Sequence, residues 1–176
     1  RDEEDTARIF QNIETEIGAI DLVIFNVGGN VYFPILDTTA RVFRKVWEMA
    51  CFAGFFSGRE AARYMVPRGK GKIFFTGASA SMRGKPGYSA FSAGKAGLRM
   101  LAQSMARELA PKNVHVAHFV IDGGINAGKG DERAASRGED GTLEPDAIAE
   151  TYLHIHRQHR SAWTWEVELR PWVENF

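Results

Sequence analysis

Four short apolar runs separated by stretches of helical periodicity constrain this chain more than any other feature. The runs are Asp21-Leu22-Val23-Ile24-Phe25-Asn26, Lys72-Ile73-Phe74-Phe75-Thr76-Gly77, Val114 to Ile121, and the alternating segment Trp163 to Leu169. Continuous apolarity in the first run fits a strand buried on both faces of a sheet, and the third is apolar apart from His115 and His118. Before the first run, Asp5 and Thr6 can cap a helix that places Ile9, Phe10, Ile13 and Ile17 on one face, stopped by Gly18. Between the first two, Asp37, Thr38 and Thr39 open a longer helix with the stripe Phe43, Val46, Trp47, Ala50 and Ala53, expected to reach Met65 before Pro67 and Gly69 end it. A third helix carries Leu98, Leu101, Ala102, Met105 and Leu109, and Pro111 follows it. A last one, Ala147 to His156, opens on Glu144-Pro145-Asp146, with Pro145 suited to an early helical position. Residues 122–144, rich in Gly and charge, predict a mobile loop with some helix. Strand and helix in alternation predict an α/β fold whose parallel sheet is built from right-handed crossovers.

A chain of 176 residues with no internal repeat or linker reads as one domain, residues 1–176. Its 22 basic and 22 acidic residues cancel, which argues against a nucleic-acid partner, because such binding needs a basic face that releases phosphate counterions. One cysteine, Cys51, excludes an intramolecular disulfide framework and points to a reducing, cytoplasmic setting. No apolar run reaches the ~18 residues that would cross a bilayer, so no membrane partner is expected. The chain opens Arg1-Asp2-Glu3-Glu4-Asp5, with neither a signal peptide nor an initiating Met, and the expectation is that the natural protein starts further upstream.

The segment Thr76 to Leu98 is less generic. A strand ends in Asn26-Val27-Gly28, and a long helix, a second strand and a run of Ala, Ser and Gly follow. Then come Ser92-Ala93-Gly94-Lys95-Ala96-Gly97-Leu98 and Gln103-Ser104-Met105-Ala106-Arg107-Glu108-Leu109-Ala110. In this order and spacing the chain resembles the short-chain dehydrogenase/reductase family over essentially its whole length. The resemblance implies a Rossmann-type, doubly wound parallel sheet, of which this chain holds the C-terminal part. The family's first strands, with the Gly-rich turn that cradles the cofactor phosphates, find no counterpart here. NAD or NADP is the implied cofactor of the complete protein, and this chain alone lacks the phosphate cradle.

The family's chemistry couples hydride transfer at a nicotinamide to proton transfer by a Tyr. A Lys four residues later lowers the Tyr pKa and binds the nicotinamide ribose, a Ser polarises the substrate oxygen, and an Asn holds a relay water. The i, i+4 spacing puts Tyr and Lys on one helix face. Lys95 matches the Lys, but the Tyr position holds Phe91, the Ser position Ala78 and the Asn position Cys51. Tyr88 and Ser79 are the candidate substitutes. Tyr88 lies two turns, ~10 Å, from Lys95 if the helix already runs there, and Ser79 or Ser81 could turn in after a small loop change. Losing a general acid typically costs 10²–10⁴-fold in rate, so ordinary carbonyl reduction should be slow or absent. Asn26 and Gly28 match the family's Asn-Ala-Gly turn beside the cofactor, and Asp122-Gly123-Gly124-Ile125 the segment next to the nicotinamide. Lys95, Asn26, Gly28, Gly123 and Ile125 are therefore the implied cofactor-binding residues.

Two functions remain open on this reading. One is an atypical NAD(P)-dependent oxidoreductase whose 122–144 loop closes over a small, apolar carbonyl or alcohol substrate. The other is a catalytically silent binding or scaffold protein that keeps the fold without the chemistry. The resemblance also implies a homodimer or homotetramer joined through Phe43 to Arg63 and the Lys95 helix, with Trp163 to Trp172 adding contact. His154, His156 and His159 are read as a solvated helix end and not as a metal site, since positions two apart on a helix point to opposite sides. Cys51, on an apolar stripe, is read as inert. Trp163, Trp165 and Trp172 suggest core or subunit interface.

Overall fold

The computed structural model describes residues 2–175. Four strands form one all-parallel sheet in the order β1 (Leu22–Phe25), β2 (Gly71–Thr76), β3 (Val114–Ile121) and β4 (Glu166–Leu169). These are the four runs the sequence singles out: β3 matches its run, β2 is shifted one residue toward the N-terminus, β1 loses one residue at each end and β4 its first three. Before β1, α1 (Glu3–Asn12) starts one turn earlier than its Asp5/Thr6 signal, because the extended Asp2 accepts the Asp5 amide and three acidic residues fill the first turn. A π-turn, Ile13–Ile17, prolongs the helix to Gly18.

The long helix between β1 and β2 is capped by Thr39, whose hydroxyl accepts the Val42 amide 3.2 Å away. It runs as α2 (Ala40–Trp47), a π-turn (Glu48–Phe52) and α3 (Ala53–Arg68). Pro67 does not stop it. The helix closes at Gly69, whose left-handed φ of 60° lets its amide turn back to Met65 and Val66. α4 (Ser89–Leu109) links β2 to β3, and α5 (Glu132–Arg137) and α6 (Pro145–Arg157) link β3 to β4.

Alternation along the strands sorts the core into two layers. Ile73, Phe75, Val114 and Val116 meet α3 and α4 through Ala61, Met65, Leu98 and Ala102. Phe74, Ala117, Phe119 and Ile121 meet α6 through Ile155, Ile148 and Tyr152, with the Tyr152 ring stacked 3.6 Å from that of Phe119. Two expectations fail here. Strand order advances one way while α3 and α4 cover one face and α6 the other, so the last crossover has the opposite hand to the first two, and the three cannot all be right-handed. β1 is not buried on both faces either: it is the edge strand, and Ile24 is 46% exposed. β3 is buried along its whole length, its two histidines included.

Helix-on-helix packing is tight where glycines replace side chains. A Cβ on Gly54 of α3 would lie 2.5 Å from Leu98 Cδ1 of α4 and 3.2 Å from Phe25 of β1. The 122–144 connection is tied at its base, where Leu143 donates to the Gly124 carbonyl and Asn126 to that of Leu143, each at 2.8 Å. Asp131 caps α5, and that carboxyl, accepting several backbone amides, is held down to about 2. Among the described residues no helix is long and apolar enough to cross a membrane.

Candidate active-site cleft

In an open α/β sheet, ligands meet the carboxyl ends of the strands, where loops diverge and backbone groups are left free. A cleft of about 370 Å³ opens there. Asn26 follows β1, Thr76 and Gly77 end β2, and Ile121 ends β3; the β2–α4 loop and the first turns of α4 complete the walls. The residues the family resemblance assigns to the cofactor and the two candidate substitutes line it: Lys95, Tyr88, Ser79, Asn26, Gly28, Gly123 and Ile125.

Lys95 lies on the floor, 3% exposed. Its Nζ donates to the carbonyls of Val27 (3.0 Å) and Thr76 (2.8 Å), the ends of β1 and β2. An ammonium has three N–H bonds, so one beyond these two remains. Removal from water disfavours the charge and lowers the Lys95 pKa to about 8. Phe91, one turn before it, is buried with its ring centroid 5.9 Å from Nζ, so the group nearest the cation on this face is an apolar ring.

Tyr88 is not part of the helix. It occupies the cap position before Ser89 with φ −119° and ψ 22°, which removes the premise that it shares a helical face with Lys95. It lines the cleft nonetheless, its ring edge-on to Tyr32 at 5.5 Å. Tyr32 in turn lies against Gly87, and the Phe33 amide donates to the Gly87 carbonyl at 2.8 Å, tying the loop after β1 to the loop before α4. Ser79 lines the cleft beside the buried Asp122, whose carboxyl it helps hold below its ordinary value. Ser81 faces inward, its Oγ accepting the Ala78 amide at 3.1 Å. Ser92 Oγ, at the cleft wall, is shielded and has no partner among the described residues. Cys51 sits in the π-turn of the long helix, and burial raises its thiol pKa, which keeps it protonated.

Sequence reasoning missed the strongest ionic contact of the site. Arg83 Nη2 lies 2.8 Å from both carboxylate oxygens of Asp122, which is 1% exposed and whose amide donates to the Leu169 carbonyl. Desolvation pushes that carboxyl up, but Ser79 and Arg83 together hold it below its ordinary value. The available signal was an acid directly after a strand apolar but for His115 and His118, which needs a partner once buried. Nothing in the sequence said that the partner would lie 39 residues away.

Beneath the floor, His118 Nδ1 meets Glu166 at 3.0 Å, and Arg99 grips the same carboxylate at 2.6 and 2.7 Å. His118 Nε2 is buried without a partner. Among the described residues no three His, Cys, Asp or Glu could hold a metal. His159 bonds Ser161 Oγ at 2.8 Å, a local contact. The tryptophans form no single cluster: Trp163 stacks on His115, the Arg99 guanidinium lies over Trp165, and Trp172 is 80% exposed.

Comparison with known proteins agrees with this architecture. Residues 1–134 match the family described as short chain dehydrogenase. The chain is 32% identical over 114 residues to a 2-dehydro-3-deoxy-D-gluconate 5-dehydrogenase of Formosa agariphila, covering 65% of this chain and 43% of the relative. It thus spans less than half the length of that curated relative. A solved short-chain dehydrogenase from Rhodopseudomonas palustris is 50% identical, with a TM-score of 0.82 over 97% of this chain and 71% of that one. An alcohol dehydrogenase from Thermococcus sibiricus, solved with 5-hydroxy-NADP, is 18% identical with a TM-score of 0.84, covering 99% of this chain and 72% of that one, and shares the fold.

Proposed function

This chain belongs to the short-chain dehydrogenase family, an NAD(P)-dependent oxidoreductase family, and from that premise we propose that its cleft binds NAD or NADP beside a small carbonyl or alcohol substrate. The observation that carries the reading is Lys95: a cation held on the cleft floor between two strand ends, with an N–H bond beyond those its two carbonyl partners use. A ribose hydroxyl is a natural acceptor for it. Asn26 and Gly28 would line the cofactor's flank and Gly123 and Ile125 the nicotinamide end. A nicotinamide, when bound, supplies or takes the hydride.

The chain's own residues must manage the proton. Phe91 cannot donate one. Lys95, with its pKa near 8, and the Tyr88 hydroxyl are the candidate donors closest to the family's pattern among the residues lining the cleft. Neither stands in the relation of a Tyr to a Lys one turn later, and slow turnover follows.

Calorimetric titration of NAD(H) and NADP(H) into the intact protein and into this 176-residue chain tests the reading. Binding by the intact protein, weakened about 10-fold or more in Lys95→Met as expected for loss of a charge-assisted bond, supports it. No binding by the intact protein sinks it. A specific observation favours a second reading, a silent binding protein. Phe91, Ala78 and Cys51 put apolar or inert groups at three positions where the family resemblance places Tyr, Ser and Asn. Cofactor binding without turnover on a broad panel of ketones and alcohols would select it.

A further inference from the structure

The charges lining the cleft all have one sign. Arg83, Lys85 and Lys95 face it, and no carboxylate does. The walls between them carry Ala78, Ala80, Phe91, Ile121 and Ile125, so a charge entering the cleft is poorly solvated and feels the cations strongly. Arg83 is not a loose surface side chain. Its Nη2 is fixed on both oxygens of the buried Asp122, and Arg83 lines the cleft. Two other carboxylates act on Arg83 from behind, Glu168 of β4 and Glu174. Glu174 is engaged by Arg137 at 2.6 Å, and Glu168 points to solvent. Lys85, two residues further along the same loop, is exposed and has no carboxylate partner among the described ion pairs.

Resting on the oxidoreductase reading of the same cleft, we propose that the substrate carries an anionic group, a carboxylate or phosphate, received by Arg83 and Lys85. Asp122 is a positioning residue here: it aims the guanidinium and offsets part of its charge, so the empty cleft is not overloaded with cations. Lys85, exposed and outside the Arg83–Asp122 ion pair, adds positive charge that Asp122 offsets only in part. The expectation of an apolar substrate is thereby narrowed to a molecule with an apolar body and an anionic end.

The test uses the intact protein and pairs of probes that differ only in charge: linear oxo acids of four to seven carbons, each against its methyl ester. Ligand-detected NMR and calorimetry read affinity, with and without NADP(H). At least one oxo acid is expected to bind about 10-fold or more tightly than its ester, the scale of one charge-assisted contact. The preference should shrink with rising salt. Lys85→Gln should cut the acid-to-ester ratio several-fold. Because Arg83→Gln alone would strand a buried carboxylate, the paired variant Arg83→Gln with Asp122→Asn is the second probe, and it should bring the ratio close to one. Equal affinity for acids and esters, or an unchanged ratio in both variants, overturns the proposal. So does displacement of the acids by NADP(H), which would assign the cations to the nucleotide's phosphates. Inorganic phosphate competing with the oxo acids supports the shared anion chemistry.

The two readings fail separately. Ester reduction with no acid preference removes the anion site and leaves the oxidoreductase. Acid-selective binding without turnover does the reverse.

Discussion

At the scale of single residues, the ring of Phe91 decides how much chemistry the cleft can do. It is buried beside Lys95, with 5.9 Å between ring centroid and Nζ, so a hydroxyl added to that ring has a cation near enough to lower its pKa. Phe91→Tyr with Ala78→Ser is therefore expected to raise kcat for ketone reduction by about 10²-fold or more. Steady-state nicotinamide absorbance on the intact protein checks it, and an unchanged rate would mean that these positions do not face the substrate. His118 supports a second prediction. Burial is the main cause that lowers its pKa from 6.5 to about 4; Arg99 and Lys95 add to this and Glu166 opposes it. Between those values the unfolded chain binds the proton and the folded chain does not, so stability falls as pH drops from 6.5 toward 4. The loss is on the order of 3 kcal/mol for such a difference. Urea midpoints measured across this window should decline in the wild type and decline less in His118→Gln. Glu166, held below its ordinary value by Arg99, extends the acid loss below pH 4.5.

At the scale of elements, the close approach of α3 to α4 fixes where Lys95 projects. Gly54 allows it, with Leu98 and Phe25 filling the space a side chain would take. Gly54→Ala should destabilise the fold by about 1–3 kcal/mol through overpacking. Combining it with Leu98→Val should return part of that loss, because the clashing atom is the far end of a flexible side chain. Chemical denaturation of the three proteins tests the pair, and additivity would show that the contact is not the cause. Thr39 offers a milder check: Thr39→Ala removes the acceptor for the Val42 amide and should cost about 1 kcal/mol.

At the scale of the whole molecule, the long helix between β1 and β2 exposes aromatic surface. Phe43, Trp47 and Phe52 are each more than a third exposed, and Trp47, Phe52 and Phe55 stack in series at 5.3 and 6.0 Å. A contiguous patch of this kind favours a subunit interface. The intact protein is expected to be a homodimer or homotetramer by light scattering, and Trp47→Glu with Phe52→Glu should shift it to a smaller species. An unshifted mass would place the interface elsewhere.

The sequence by itself determined the elements and their order, because apolar run length and helical periodicity are local. The four strands, the long helix from Thr39, α4 and the residues gathered at the strand ends were all legible before any coordinates. Periodicity does not carry edges, hands or pairs. That α6 lies on the far face and that Tyr88 caps α4 without joining it were decided by packing. The same holds for the charges. Asp122 carries a signal in the sequence and Arg83 none, and only the fold brings them within 2.8 Å and leaves cations as the charged side chains of the cleft lining, because a buried carboxylate takes whatever donor the tertiary structure brings to it.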